Sequence, residues 1–144
     1  MMAITRKSDA HWSGDLMNGQ GTIHLGSKVF EGPYSFKERT SEHSSLTNPE
    51  ELIAAGHAGC FSMALSALLT QAGFPPESIK TTAAVTLDKD ATGFALTEIN
   101  LSTKVHAPGL SQADFERCTQ SAKTGCPISR ALSTVKITLA AELV

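Results

Sequence analysis

Two cysteines in contrasting settings are the residues of this chain best suited to chemistry. Cys60 lies inside an apolar helical run, and Cys126 stands between Gly125 and Pro127 at the expected start of another helix. The thiolate is the nucleophilic form of cysteine, and a helix N-terminus stabilises it whereas apolar surroundings disfavour it. Two such thiols in a chain with a cytosolic composition indicate redox chemistry, in which one cysteine attacks and the other resolves.

The local sequence alone does not decide which sulfur attacks. Helix-terminal electrostatics favour Cys126, while Cys60 by composition is more typical of a buried core thiol. To react with a peroxide, Cys60 needs a positive charge nearby. Glu50 lies ten residues earlier on the same expected helix, about 15 Å away along its axis, so a third group has to connect the two. Arg39, on the loop before the helix, is the candidate.

The remaining candidate residues carry weaker signals. Cys118 shares a helix face with Phe115 and Ala122, which predicts a core position. His57 and Cys60 stand three residues apart, a spacing that allows a Cys–His pair or half of a metal site. The chain has no CxxC, no HExxH and no glycine-rich phosphate loop, so we expect neither a metal nor a flavin or nicotinamide cofactor.

The composition limits the classes of protein that this chain can represent. Its 144 residues predict a single domain over residues 1–144. A formal net charge of -2 without a basic block predicts no nucleic-acid and no membrane partner. Three cysteines argue against a disulfide scaffold. The first residues lack the apolar core of a secretory signal, so we expect a cytoplasmic location.

The N-terminal part of the chain predicts strands followed by one long helix. An Asn18-Gly19 step between two strand-like runs predicts a hairpin, and residues 28–36 predict a third strand. Thr47 or Asn48 can cap the helix, which should run to about residue 72 and stop at Gly73.

The C-terminal part predicts two long strands, two helices and a final strand. The strands are expected at residues 79–88 and 94–106, and the last at VKITLAAEL. Ser111 resembles the cap of a helix that Gly125 closes, and a short helix should begin at Pro127. The order β-β-β-α-β-β-α-α-β predicts an α+β fold in which an antiparallel sheet packs on a central buried helix.

The long helix bears on the assembly. Residues 52–69 carry no formal charge, but their interspersed polar side chains and glycines favour a core helix over a membrane span. One sheet covers only one side of a helix that is apolar all round, so the other side is most easily buried against a second copy. We therefore predict a homodimer. The apolar positions are Leu52, Ile53, Phe61, Met63, Leu65, Leu68 and Leu69.

The two cysteine motifs resemble one family closely. The segments NPEELIAAGHAGCFSMAL and GCPISRAL are similar to the corresponding motifs of the osmotically inducible protein C and organic hydroperoxide resistance (OsmC/Ohr) family, and the similarity extends over the whole chain. The hydroperoxide resistance branch takes its catalytic arginine from the N-terminal region, where this chain has only Arg6. The candidate here is Arg39, so the resemblance is to the osmotically inducible branch.

This resemblance implies a fold, an assembly and residue roles. It implies an intertwined homodimer in which two sheets flank central helices, with active sites at the subunit interface. Cys60 occupies the position of the peroxidatic sulfur and Cys126 that of the resolving sulfur. Glu50 matches the glutamate that holds the arginine, here Arg39, against the thiolate.

The expected activity is that of a thiol-dependent peroxidase in oxidative and osmotic stress defence. It reduces organic hydroperoxides to alcohols through a disulfide cycle, is restored by a dithiol or lipoyl reductant, and needs no metal or organic cofactor. Phe61 and Met63 are expected to line an apolar pocket for the alkyl group. Two alternatives remain open: a non-catalytic binding protein for apolar ligands, and a Cys–His hydrolase that uses Cys60 and His57.

Overall fold

The computed structural model describes every residue from Met1 to Val144. Residues 1–52 and residues 53–144 form two compact units, and each is described by itself. The order of elements is the predicted one with one short helix added, and the fold is α+β with two small sheets and a long helix. That the whole chain is a single domain stays a prediction.

The first unit is built on a three-stranded antiparallel sheet in the order β1-β2-β3. The predicted hairpin forms, but its loop is longer than an Asn18-Gly19 turn, because the Asp15 carboxylate accepts hydrogen bonds from the amides of Met17 and Asn18. These bonds stabilise a side-chain-closed turn that begins earlier in the sequence. The strands are β1 (Ser8–Ser13), β2 (Gln20–Leu25) and β3 (Glu31–Tyr34).

The third strand is shorter than predicted at both ends. Lys28 adopts a left-handed φ of 65° in the turn that precedes the strand. After the strand, Ser35 caps the short helix α1 (Phe36–Arg39), its hydroxyl accepting a hydrogen bond from the Glu38 amide. A serine whose side chain satisfies a free amide starts a helix and ends an extended segment. This cap sets the position of Arg39.

The long helix α2 extends from Pro49 to Gln71. Of the two predicted caps, Asn48 is the one that caps the helix, since its Oδ1 accepts a hydrogen bond from the Glu51 backbone amide at 2.8 Å. Thr47 instead donates to the Glu51 carboxylate. Gly73 follows the helix with a φ of +93°, the left-handed conformation that terminates helices at glycine.

The second unit contains a mixed sheet in the order β4-β5-β6. Strands β4 (Ser78–Asp90) and β5 (Gly93–His106) pair antiparallel, but β6 (Lys136–Leu143) pairs parallel to β5. The predicted antiparallel pairing is found throughout the first sheet and between β4 and β5, while β6 joins the second sheet in parallel. The helices α3 (Gln112–Gly125) and α4 (Pro127–Ala131) lie between β5 and β6, and a helical crossover of this kind returns the chain parallel to its neighbour.

One face of α2 packs into the core of the second unit. His57, Phe61, Leu65 and Leu69 are fully buried at four-residue intervals, which is the spacing of one helix face. On the uncovered side, Met63 is 76% exposed. By length and composition alone this helix could cross a membrane, but its buried face identifies it as a core helix. Other buried apolar residues of the core are Ile99, Leu101, Val105, Ala107, Leu110, Phe115, Cys118 and Ala122.

Candidate functional site

The structure brings the Cys60 and Cys126 thiols together within the second unit, although 66 residues separate them in the sequence. Cys60 lies in the middle of α2 and is partly exposed, whereas Cys126 is fully buried at the junction of α3 and α4. Both sulfurs are free thiols here, and Cys126 lies close enough to Cys60 to act on its pKa. The arrangement has the two partners that an intramolecular disulfide requires.

The first turn of α4 contacts both sulfurs through its backbone. The Ile128 amide lies near Cys60 and lowers the pKa of its thiol, and the Ser129 amide donates to Cys126 Sγ at 3.3 Å. Pro127 at the first helical position and Cys126 as the N-cap explain why the helix begins here. The sequence analysis expected this helix start to act on Cys126 alone. In the structure, its amides lie near both thiols.

Burial dominates the electrostatics of Cys60. Loss of solvent raises the pKa of the Cys60 thiol above its ordinary value, the Ile128 amide acts in the opposite direction, and the neighbouring Cys126 raises it further through its hydrogen bond and charge. In the single chain, Cys60 is therefore mainly a neutral thiol near pH 7. A peroxidatic role requires an additional cation that stabilises the thiolate.

Arg39 and Glu50 form a two-pronged ion pair within the first unit. The Arg39 Nε lies 3.2 and 3.1 Å from the two Glu50 carboxylate oxygens, and Nη2 donates to Oε1 as well. Hydrogen bonding to Glu50 raises the pKa of Arg39, against a smaller opposing effect of burial. The Glu50 side chain is only 10% exposed, so the pair fixes the orientation of the guanidinium.

The loop after Arg39 is organised by a residue that the sequence did not single out. The Glu38 carboxylate accepts hydrogen bonds from the Ser44 hydroxyl and from the Ser45 amide, both at 3.1 Å. These bonds give shape to a serine-rich segment that resembles an unstructured loop in the sequence. Glu38 was recognisable only as one of several surface acids.

A cavity of about 260 Å³ lies beside Arg39 in the first unit. Its wall is largely apolar and aromatic, with Arg39 as the one charged residue. Such a lining suits the organic part of a ligand whose polar end meets the guanidinium. The lining residues are Trp12, Leu16, Tyr34, Ser35, Phe36, Arg39 and Pro49.

His57 does not form the pair with Cys60 that its spacing suggested, and Cys118 lies in the core as predicted. His57 is fully buried, and its Nε2 lies 2.7 Å from Ser129 Oγ, so its hydrogen bond goes to a serine and leaves the suggested pair with Cys60 unmade. Cys118 is 5% exposed among core residues, as its helix face predicts. Phe61 is fully buried in the core, so the prediction that it lines an accessible pocket is wrong.

The fold and the site together define a class: an α+β protein in which a thiol on a central helix meets a thiol at a second helix start. The family model described as OsmC-like protein matches residues 42–140, and this chain belongs to that family. Peroxiredoxin OsmC of Escherichia coli is 50% identical over 143 residues, covering 99% of both chains. Organic hydroperoxide resistance protein-like 2 of Staphylococcus epidermidis is 36% identical over 66% of both.

Solved structures share the fold over almost the whole chain. An OsmC-like protein from Mycoplasma pneumoniae matches with a TM-score of 0.76 at 18% identity, covering 99% of both chains. An organic hydroperoxide resistance protein from Elizabethkingia anophelis matches with a TM-score of 0.75 at 22% identity, covering 99% of this chain and 100% of that one. At these identities the similarity establishes the fold.

Replacing Cys126 by alanine should lower the pKa of Cys60. The change removes a hydrogen bond and a charge that both raise it, so the thiolate forms at lower pH. The measurement is the pH dependence of Cys60 alkylation by iodoacetamide, followed by peptide mass spectrometry. Cys118→Ala is the matched control and should leave the midpoint unchanged. An unchanged or higher midpoint in Cys126→Ala would contradict the coupling of the two thiols.

Proposed function

We propose that this chain reduces organic hydroperoxides to alcohols with Cys60 as the peroxidatic sulfur and Cys126 as the resolving sulfur. The Cys60 thiolate attacks the distal peroxide oxygen, the O–O bond breaks, and the alkoxide leaves as the alcohol after taking up a proton. Cys60 is then a sulfenic acid. Condensation with Cys126 forms a disulfide and releases water. The nearness of Cys126, at the start of α4, to the Cys60 thiol is the observation that carries the proposal.

The chain is a peroxidase, since a relative 50% identical over its whole length is a peroxiredoxin. The further relatives named for organic hydroperoxide resistance support a role in stress defence. The proposed electrons come from the two thiols themselves, so no metal or organic cofactor is needed. The reductant that restores the thiols is, by the family resemblance, a dithiol or a lipoyl group.

Exposure supports the assignment of roles to the two sulfurs. A peroxide has to reach the attacking sulfur, and Cys60 is partly exposed whereas Cys126 is fully buried. Local helix electrostatics had favoured Cys126 as the attacker, but the start of α4 directs an amide at each sulfur. The helix start therefore does not single out Cys126, and access favours Cys60.

Arg39 is the proposed source of the cation that Cys60 lacks. Burial raises the pKa of Cys60, and an opposite charge nearby lowers it. Glu50 holds the Arg39 guanidinium through two oxygens, so the positive group is oriented before a substrate binds. We infer that Arg39, from the same or the other subunit, stabilises the thiolate and hydrogen-bonds the peroxide oxygens.

The proposed enzyme works as a homodimer. The side of α2 that faces away from the core leaves Ala55, Gly56, Gly59, Met63 and Ala67 exposed in the single chain, and a second copy is the simplest cover for it. The aromatic cavity beside Arg39 would take the organic part of the substrate. Each buried methylene adds about 0.8 kcal/mol, which favours alkyl and aryl hydroperoxides over hydrogen peroxide.

The two sulfurs should fail in different ways when they are replaced by serine. Cys60→Ser should abolish consumption of tert-butyl hydroperoxide, because no attacking thiolate remains. Cys126→Ser should complete one turnover and retain a sulfenic acid that dimedone traps. Cys118→Ser is the matched control and should turn over like the unchanged protein. Full activity of Cys60→Ser, or no first turnover in Cys126→Ser, would contradict the assignment.

Replacing Arg39 by methionine should shift the activity to higher pH. Removal of a cation raises the pKa of the thiol, so less thiolate is present at pH 7 and the first-turnover rate falls there but recovers as pH rises. The measurement is the first-turnover rate with tert-butyl hydroperoxide across pH 6–10. Arg130→Met, on the exposed side of α4, is the control. Identical pH profiles for Arg39→Met and the unchanged protein would show that Arg39 does not act on Cys60.

A further inference from the structure

A chain of side-chain hydrogen bonds leads away from the two thiols into the protein interior. The Cys126 thiol donates to Ser129 Oγ at 3.2 Å, and Ser129 Oγ lies 2.7 Å from His57 Nε2. The chain therefore runs from the sulfur next to Cys60 through one hydroxyl to an imidazole. Its members come from α2 and from the start of α4, 72 positions apart at His57 and Ser129.

Every member of this chain is buried. Cys126 and His57 are 0% exposed and Ser129 is 4% exposed. Water does not compete for these hydrogen bonds, so a proton that leaves the Cys126 thiol has one continuous path through protein groups. Burial also lowers the pKa of His57, which keeps the imidazole neutral near pH 7. In the tautomer that carries its proton on Nδ1, which the proposal takes, Nε2 has the free lone pair and can accept a proton from Ser129 Oγ.

Structural needs do not explain a histidine at this position. The Nδ1 atom of His57 is buried and has no hydrogen-bond partner, and an unsatisfied buried polar atom lowers the stability of the folded protein. The positions that share its helix face are Phe61, Leu65 and Leu69, so an apolar side chain would fit the same environment. A costly buried group next to reacting atoms points to a chemical role.

We propose that the Ser129–His57 pair accepts the proton of the Cys126 thiol as the disulfide forms. Ser129 touches the reacting sulfur and is a catalytic residue in this step. His57 acts through Ser129 and is a positioning residue that also receives the proton. The proposal rests on the proposed two-cysteine cycle and concerns only its second half.

The step balances without any further reactant. The Cys126 S–H proton moves to Ser129 Oγ while the Ser129 hydroxyl proton moves to His57 Nε2. The sulfur lone pair that this frees attacks Cys60 Sγ, the S–S bond forms, and the S–O bond of the sulfenic acid breaks. The leaving hydroxide takes up the proton that the Ser129–His57 pair holds and becomes water, so both side chains return to their starting forms. Cys126 is oxidised, and the sulfenic acid is reduced to the disulfide.

The test separates the two halves of the cycle in a single turnover. Reduced protein is mixed with one equivalent of tert-butyl hydroperoxide and quenched with acid at set times. Hydroperoxide loss gives the rate of attack by Cys60, and intact mass with dimedone trapping gives the rate at which the sulfenic acid becomes the disulfide. The variants are Ser129→Ala and His57→Gln. Glutamine can still hydrogen-bond the Ser129 hydroxyl but cannot accept a proton.

In both variants the rate of disulfide formation, relative to the rate of hydroperoxide consumption in the same sample, should fall at least about tenfold, since proton transfer by a positioned group contributes about 10²–10⁴-fold. Ser129→Thr keeps the hydroxyl and should restore the second rate. Consumption of the hydroperoxide in the same samples shows that the variants are folded around Cys60.

Disulfide formation at the unchanged rate in either variant would overturn the relay. An unchanged rate of disulfide formation in His57→Gln alone would show that His57 serves only as a hydrogen-bond partner of Ser129 and accepts no proton. Absence of any disulfide in the unchanged protein would instead refute the two-cysteine cycle, and the relay with it.

Discussion

The burial of one face of α2 is the constraint on which the second unit depends. Four side chains at four-residue intervals enter the core, and their positions fix the rotation of the helix about its axis. That rotation places Cys60 beside the start of α4, near Cys126 and the backbone amides of Ile128 and Ser129. A rotation by one residue, about 100°, would separate the thiols. The chemistry is therefore a consequence of how the helix packs.

The first unit supplies a different kind of order. Ser35 caps a one-turn helix, the Glu38 carboxylate accepts a hydrogen bond from Ser44 in the loop that follows, and Glu50 forms an ion pair with Arg39. Each of these contacts joins a charged or polar side chain to a group close to it in sequence. Such local bonds form a pre-oriented cation, which lowers the entropic cost of using it in a reaction.

Local signals in the sequence predicted most of the elements, while long-range pairings could not be read from it. Gly73 and Pro127 end or start helices where their backbone preferences predict, and Ser111 starts α3 through the side-chain cap that the sequence predicts. The parallel pairing of β6 depends on the crossover through α3 and α4, and strand periodicity is the same for either direction. The one-turn helix α1 is too short for any periodic signal and is set by the Ser35 cap alone.

The same division applies to the site. Cys60 and Cys126 stood out because their surroundings differ, and Arg39 and Glu50 because charges flank an apolar helix. Ser129 carried only a faint signal, its position three residues after a helix-starting cysteine. Its bond to His57 joins segments far apart in the chain, and the i,i+3 spacing of His57 and Cys60 suggested the wrong partner. The contact of His57 with Ser129 is visible only in the folded structure.

The most direct test of the two-cysteine account is the identity of the bond formed by one equivalent of an alkyl hydroperoxide. The reduced protein is treated, alkylated and digested, and the peptides are assigned by mass. The account predicts loss of two thiols, a mass decrease of about two hydrogens, and a peptide pair linked through Cys60 and Cys126, with Cys118 alkylated. Intact thiols at both positions, or a disulfide that includes Cys118, would contradict it.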